Sequence, residues 1–137
     1  MERMKKRYQI DGENFSTLDE FYDEISRVLI PGARWGHNLD AFDDILEGGF
    51  GTPDEGFVLE WLNSDVSRER LGYKETVRVL KVSLKKCHRE NRTYVKKKIK
   101  AAKRREGLTI FDTLVEIIES HCGGGQYPED GVELLLL

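Results

Sequence analysis

The sequence predicts an α/β fold built on parallel strands, and three observations carry that expectation. Residues 57–62, FVLEWL, are apolar almost throughout, the character of a parallel-sheet strand covered on both faces. Residues 132–137, VELLLL, have the same character. Helix-forming segments separate these runs from each other and from a short earlier strand, and strands joined through helices pair in parallel. A chain of 137 residues is expected to form one domain, 1–137, with a sizeable core.

Taken in order, residues 7–12, RYQIDG, make the first strand, ended by an Asp-Gly turn signal. A helix follows in FSTLDEFYDEISRVLIPG, where Thr17 and Glu20 stand at capping-box spacing. Leu18, Phe21, Tyr22, Ile25, Val28 and Leu29 give it one apolar stripe, and Pro31-Gly32 stops it. A second helix runs over roughly 38–47 and ends at Gly48-Gly49, ahead of the turn GTPDEG and the strand 57–62. The lysine-rich segment 73–107 is helix-forming, with a break expected near 88–91. Residues 108–125, LTIFDTLVEIIESHCGGG, form a further helix that packs through Leu114, Ile117 and Ile118 and stops at three glycines. There is no internal repeat, and the glycine-rich segments 48–56 and 123–125 lack a phosphate-binding fingerprint, so both read as turns.

Composition narrows the class. Hydrophobic residues at 39% argue against wholesale disorder despite 34% charged residues. No run approaches a membrane span, and the basic N-terminus MERMKKRYQI has no apolar h-region, so it does not read as a signal peptide. Cys87 and Cys122 lie outside any metal-ligand or C-x-x-C spacing, which fits a reduced, cytoplasmic protein. The net charge of −3 hides an asymmetry: residues 11–65 hold fourteen acids against two arginines, and residues 74–106 hold fourteen Lys/Arg against three glutamates.

The acidic half peaks in RWGHNLDAFDDILEGGFG, residues 34–51. At roughly 100° per residue, Asp40, Asp43, Asp44 and Glu47 fall within about 100° of one another, while Leu39, Phe42, Ile45 and Leu46 take the other side. Such a helix packs by one face and presents carboxylates on the other: a solvated surface, or a docking surface for a cationic partner. Glu60, Asp54, Glu55 and Asp65 deepen the local negative field, which would steer a basic partner. His37, Asp40 and Asp44 match no metal motif. Catalysis needs paired groups in different environments, and an open polar face supplies none; no Ser/His or Cys/His pair is recognisable. His88 and His121 read as structural or surface residues, His121 at a helix end where the dipole favours a cation. The chain is not expected to be an enzyme.

The segment RWGHNLDAFDDIL, preceded by a helix ending VLIPGA and followed by FVLEW, resembles the barstar family of ribonuclease inhibitors. The matching positions are Trp35, Gly36, Asn38, Leu39, Asp40, Ala41, Asp44 and the run Leu59-Glu60-Trp61. The resemblance is good over 8–61 and resumes more loosely around 111–118 and the last strand. It implies a three-stranded parallel sheet flanked by helices, with an enlarged helical insertion at about 74–106. It also implies that the second helix and its preceding loop plug the active site of a basic, guanyl-specific ribonuclease or related nuclease toxin. Asp44 then takes the place of the substrate phosphate, Asp40 is the second carboxylate, Trp35 an interface aromatic, Asn38 an interface residue near the helix start or its N-cap, and Glu116 a peripheral acid. No cofactor, metal, membrane or small-molecule substrate is implied.

Two departures from the family pattern fall on the same surface. Arg34 stands where the family's founding member has a second aromatic, and a cation facing a basic nuclease repels it unless it turns away or finds an acid. Asp43 replaces a tryptophan beside the central carboxylate. With Glu47, these positions complete the expected nuclease-binding set. In the basic insertion, Lys96, Lys97, Lys98, Lys100, Lys103, Arg104 and Arg105 have the chemistry to meet phosphates, with Tyr94 as a lone stacking ring. A solvated arm that keeps the chain soluble, or folds over the acidic half, is the plainer reading. A nucleic-acid-binding or regulatory module acting through this arm is the alternative.

Overall fold

A computed structural model describes residues 5–137; residues 1–4, the start of the basic N-terminal stretch, lie outside the described part. The three strands are β1, Lys6–Asp11, β2, Phe57–Leu62, and β3, Glu133–Leu136. Their order is β1-β2-β3 and both pairings are parallel, with Tyr8 beside Leu59 and Leu59 beside Leu134. Among the described residues six α-helices accompany them: α1 Leu18–Leu29, α2 Leu39–Glu47, α3 Ser64–Arg70, α4 Tyr73–Lys86, α5 Arg92–Lys103 and α6 Ile110–Ser120. The fold is therefore α/β on a three-stranded parallel sheet.

Alternation decides which face of the sheet is buried. Tyr8, Ile10, Leu59 and Trp61 point into one cluster with Phe21 and Ile25 of α1, Phe42 and Ile45 of α2, and Phe111, Leu114 and Ile118 of α6. Trp61 lies at its centre, stacked on Phe21 at 5.5 Å and edge-on to Phe111 at 5.1 Å. Burial of several such aromatic side chains stabilises by roughly 1.5–3 kcal/mol each. On the opposite face Arg7 and Gln9 of β1 both donate hydrogen bonds to the Glu60 carboxylate.

Two expectations need correction. The C-terminal strand is not covered on both faces: β3 pairs only with β2, so it is an edge strand, and Leu135 and Leu136 remain about two-fifths exposed (40% and 39%). An apolar run signals strand propensity rather than coverage: β1 is an edge strand too, yet its Tyr8 and Ile10 are buried. The first helix also lacks a complete capping box. The Thr17 hydroxyl accepts from the Glu20 N–H at 3.2 Å, but the Glu20 carboxylate accepts from Ser16 N–H rather than from Thr17.

Helix α3 went unpredicted because SDVSRER offers one apolar residue and no stripe. It is held by polar contacts, above all the buried Ser67 hydroxyl, which accepts the Trp61 indole N–H at 2.9 Å. The lysine-rich segment is an α-helical hairpin, α4 then α5, broken by a 3-10 turn at Arg89–Asn91 as its sequence predicts. Its root is fixed by Glu75, whose buried carboxylate accepts the Leu18 N–H at 2.7 Å and pairs with Arg78.

Candidate functional site

Helix α2 owes its position to its ends and its apolar side. The Asn38 side chain accepts the Ala41 N–H at 2.8 Å and so caps the first turn. Gly48, at φ 108°, supplies the left-handed stop, and its N–H returns to the Ile45 carbonyl. Phe42, Ile45 and Leu46 are buried, with the Phe42 ring edge-on to Phe21 at 5.3 Å. Leu39 is half-buried against the same cluster. With that side committed, Asp40, Asp44 and Glu47 are left exposed.

The preceding loop is ordered by Trp35. Its indole N–H donates to the Ser26 hydroxyl at 2.6 Å, its ring meets Tyr22 edge-on at 5.3 Å, and the His37 imidazole lies 4.5 Å from its centroid. Trp35 is half-buried, whereas Arg34, Gly36 and His37 are exposed. Gly36 has limited room, since a Cβ would approach the Asn38 side-chain nitrogen to 3.3 Å. Arg34 forms no ion pair among the described residues. Across an open cleft from Asn38 and Asp40 stand Val82 and Lys86 of α4.

Asp43 differs from its neighbours. Its carboxylate lies 2.6 Å from Nε2 of His121, the residue that ends α6, and Nδ1 of the same ring lies 2.6 Å from the Asp130 carboxylate. His121 is wholly buried, with Tyr127 stacked on it at 5.5 Å. Burial alone would depress its pKa, yet the hydrogen bonds and negative charge of Asp130 and Asp43 outweigh it and hold the pKa above the ordinary value. With a carboxylate on each ring nitrogen, both nitrogens donate, so the ring is an imidazolium.

This cation accounts for the crowding that makes the sequence of α2 unusual. Oxygens of Asp43, Asp44 and Glu47 come within 4.8 Å of one another, and like charges so close repel. The imidazolium under Asp43 offsets part of that repulsion from inside the fold. The grouping is Asp43, Asp44 and Glu47, not the His37, Asp40 and Asp44 set considered from spacing.

The remaining positions scatter. Glu116 is exposed on α6, the helix that packs on α2, and makes no hydrogen bond or ion pair among the described residues. Glu60 does not deepen the field over α2: Arg7 neutralises it at 3.1 Å on the far side of the sheet. No sequence signal joins Asp43 to His121, 78 residues away, or His121 to Asp130. The only sequence cue was a histidine at a helix end. No helix among the described residues is long and apolar enough to cross a membrane, and both cysteines are free thiols.

A protein-family model described as Barstar (barnase inhibitor) matches residues 6–96, from β1 through α2 and β2 into α5. No curated protein matches the chain. The match covers well over half of the 137 residues and includes the whole of the Trp35-to-Glu47 surface. The chain belongs to the barstar family, whose members are inhibitors of ribonucleases rather than enzymes.

Proposed function

We propose that this chain is an intracellular, stoichiometric inhibitor of a basic ribonuclease or nuclease toxin, acting by occlusion of the active site. The observation that carries this reading is the outward row Asp40, Asp44 and Glu47 on a helix whose other side is locked into the core. A ribonuclease binds phosphates through cationic side chains, and carboxylates held rigidly at phosphate-like positions take their place without being cleaved. Asp44 occupies the central position and Asp40 the second. Trp35 and Asn38 fix the approach, with Gly36 letting the partner come close to the backbone. Glu47 and Glu116 contribute at the edge. Asp43 serves this surface from beneath, through His121, and Arg34 faces an acidic group on the partner.

Rigidity makes the interaction efficient. The helix is capped, buried and clamped before the partner arrives, so little conformational entropy is lost on association. The acidic field also speeds encounter, and this rate advantage falls with salt. No cofactor enters the mechanism.

The direct test is titration of the purified protein into a ribonuclease from the cell that makes it, following RNA cleavage. A sharp endpoint at equimolar ratio is expected. Undiminished cleavage with every basic ribonuclease of that cell at excess inhibitor sinks the proposal.

A further inference from the structure

We propose that the outer side of α5 is a nucleic-acid-binding face that holds single-stranded RNA by its sugar–phosphate backbone. The face is separate from α2, and the inference does not rest on nuclease inhibition.

The starting point is what α5 does not do for the fold. Val95, Ile99 and Ala102 are buried, yet none of them belongs to the central apolar cluster; α5 packs chiefly on α4. The helix has no acidic residue between Arg92 and Lys103. Lys96, Lys100 and Lys103 follow at spacings of four and three and so form one stripe. That stripe is about 10 Å long at the helical rise. At roughly 100° per residue Lys97 stands a quarter-turn round from it, and Lys98 lies on the opposite shoulder beside Tyr94.

A basic helix is neutralised inside the molecule, left in water, or met by an external polyanion. Neutralisation is what happens to Arg78 of α4, which pairs with Glu75 and Asp19, whereas Lys74, Lys81, Lys85 and Lys86 of that helix meet no carboxylate among the described residues. Just past α5, Arg104 pairs with Glu106. Among the described residues, none of the five lysines of α5 pairs with a carboxylate. The hairpin does not fold α5 over the acidic half of the chain; α4 lies between them. Like charges four residues apart oppose helix formation, so an uncompensated lysine stripe is complementary to a repeating phosphate charge.

Tyr94 selects single strands among polyanions. Its ring is 61% exposed, with the Lys98 ammonium 4.7 Å from its centroid. Tyr94 and Lys98 sit on one shoulder of the exposed side and the Lys96–Lys100–Lys103 stripe on the other, with Lys97 between them. A single strand crossing this side therefore stacks a base on the ring and lays its phosphates on the lysines. A duplex has no free base faces to offer.

The test uses the full chain and a labelled single-stranded RNA oligonucleotide of mixed sequence, read by fluorescence anisotropy between about 50 and 200 mM salt. Saturable binding is expected, weakening with salt. The triple change K96E/K100E/K103E is expected to lower affinity at least about tenfold and to reduce the salt slope by roughly 0.7 per lysine. The neutral set K96Q/K100Q/K103Q, with helicity checked by circular dichroism, covers the chance that reversed charges unfold α5. Tyr94→Ala should cost less, and Asp44→Ala should bind RNA like the unmodified chain. Absent binding at the lowest salt, or a folded triple variant that binds equally well, overturns the proposal and leaves α5 a solvated face. Polyglutamate competing as well as RNA overturns it in favour of an acidic protein partner. Equal affinity for duplex RNA with no effect of Tyr94→Ala overturns the single-strand assignment.

Discussion

Helices α2 and α5 solve the same problem in opposite ways. Each buries one side and concentrates a single sign of charge on the other. In α2 the buried side reaches the central cluster, and part of the charge is met by the His121 imidazolium below. In α5 the buried side stays outside that cluster and packs chiefly on α4, and the lysines meet no counter-charge among the described residues. The difference separates a surface set rigidly in the molecule from a surface carried on an appendage. Crowded charge is tolerated in the first by a buried partner and in the second by solvent.

The largest expected contrast is in binding. Asp44→Ala should weaken the complex with the cognate ribonuclease by about 2–8 kcal/mol, the hot-spot range that includes barstar's own interface. No lysine of α5 should matter comparably to that complex, and calorimetry on both variants measures the contrast. An Asp44→Ala protein that is folded and inhibits undiminished would break it.

Stability comes next. Phe42→Ala removes a fully buried ring from the central cluster and should cost about 3–5 kcal/mol of global stability in urea unfolding. Ile99→Ala, at the α4–α5 seam, should cost about 2 kcal/mol, near the low end for buried aliphatics. Its effect should appear first as faster hydrogen exchange confined to the hairpin. Equal global losses for the two variants would mean that α5 is no appendage.

A smaller effect follows pH. The folded pKa of His121 lies above its unfolded value near 6.5. Its contribution to stability is therefore complete below about that pH and fades as pH rises through the folded value. Urea midpoints should fall with rising pH above neutrality. Asp43→Asn keeps an acceptor for Nε2 but removes the charge, so the slope should flatten. Identical slopes in the two proteins would show that the clamp does not titrate as its geometry requires. The smallest effect belongs to the helix cap: Asn38→Ala should cost about 1 kcal/mol, visible as a modest downward shift in Tm.

Much of this was legible in the sequence, for reasons that also explain the failures. Periodicity located α1, α2, α6 and the break in the hairpin, because each of those helices buries a stripe. Residues 57–62 matched β2 because a central strand is apolar on both sides. The same signal misled at β3, since leucines do not tell an edge from a centre. It was silent at α3, which is fastened by Asn63, Ser67 and their polar partners rather than by an apolar face. Within the site, the exposed row Asp40, Asp44 and Glu47 follows directly from helical spacing. The different fate of Asp43 does not, because its partners arrive from the other end of the chain through tertiary packing.

The clamp also constrains descent. Asp43, His121 and Asp130 sit on three separate segments, yet each is tolerable only in the presence of the others: an imidazolium without its carboxylates is a stranded charge, and a carboxylate at position 43 without the imidazolium adds to the repulsion along α2. Among homologous sequences these three positions should be inherited as a linked set and exchanged together, while Asp40 and Asp44 answer to a different master, the partner they face. A lineage is thus free to retune its outward acids one at a time, but it can abandon the inner trio only in a coordinated step.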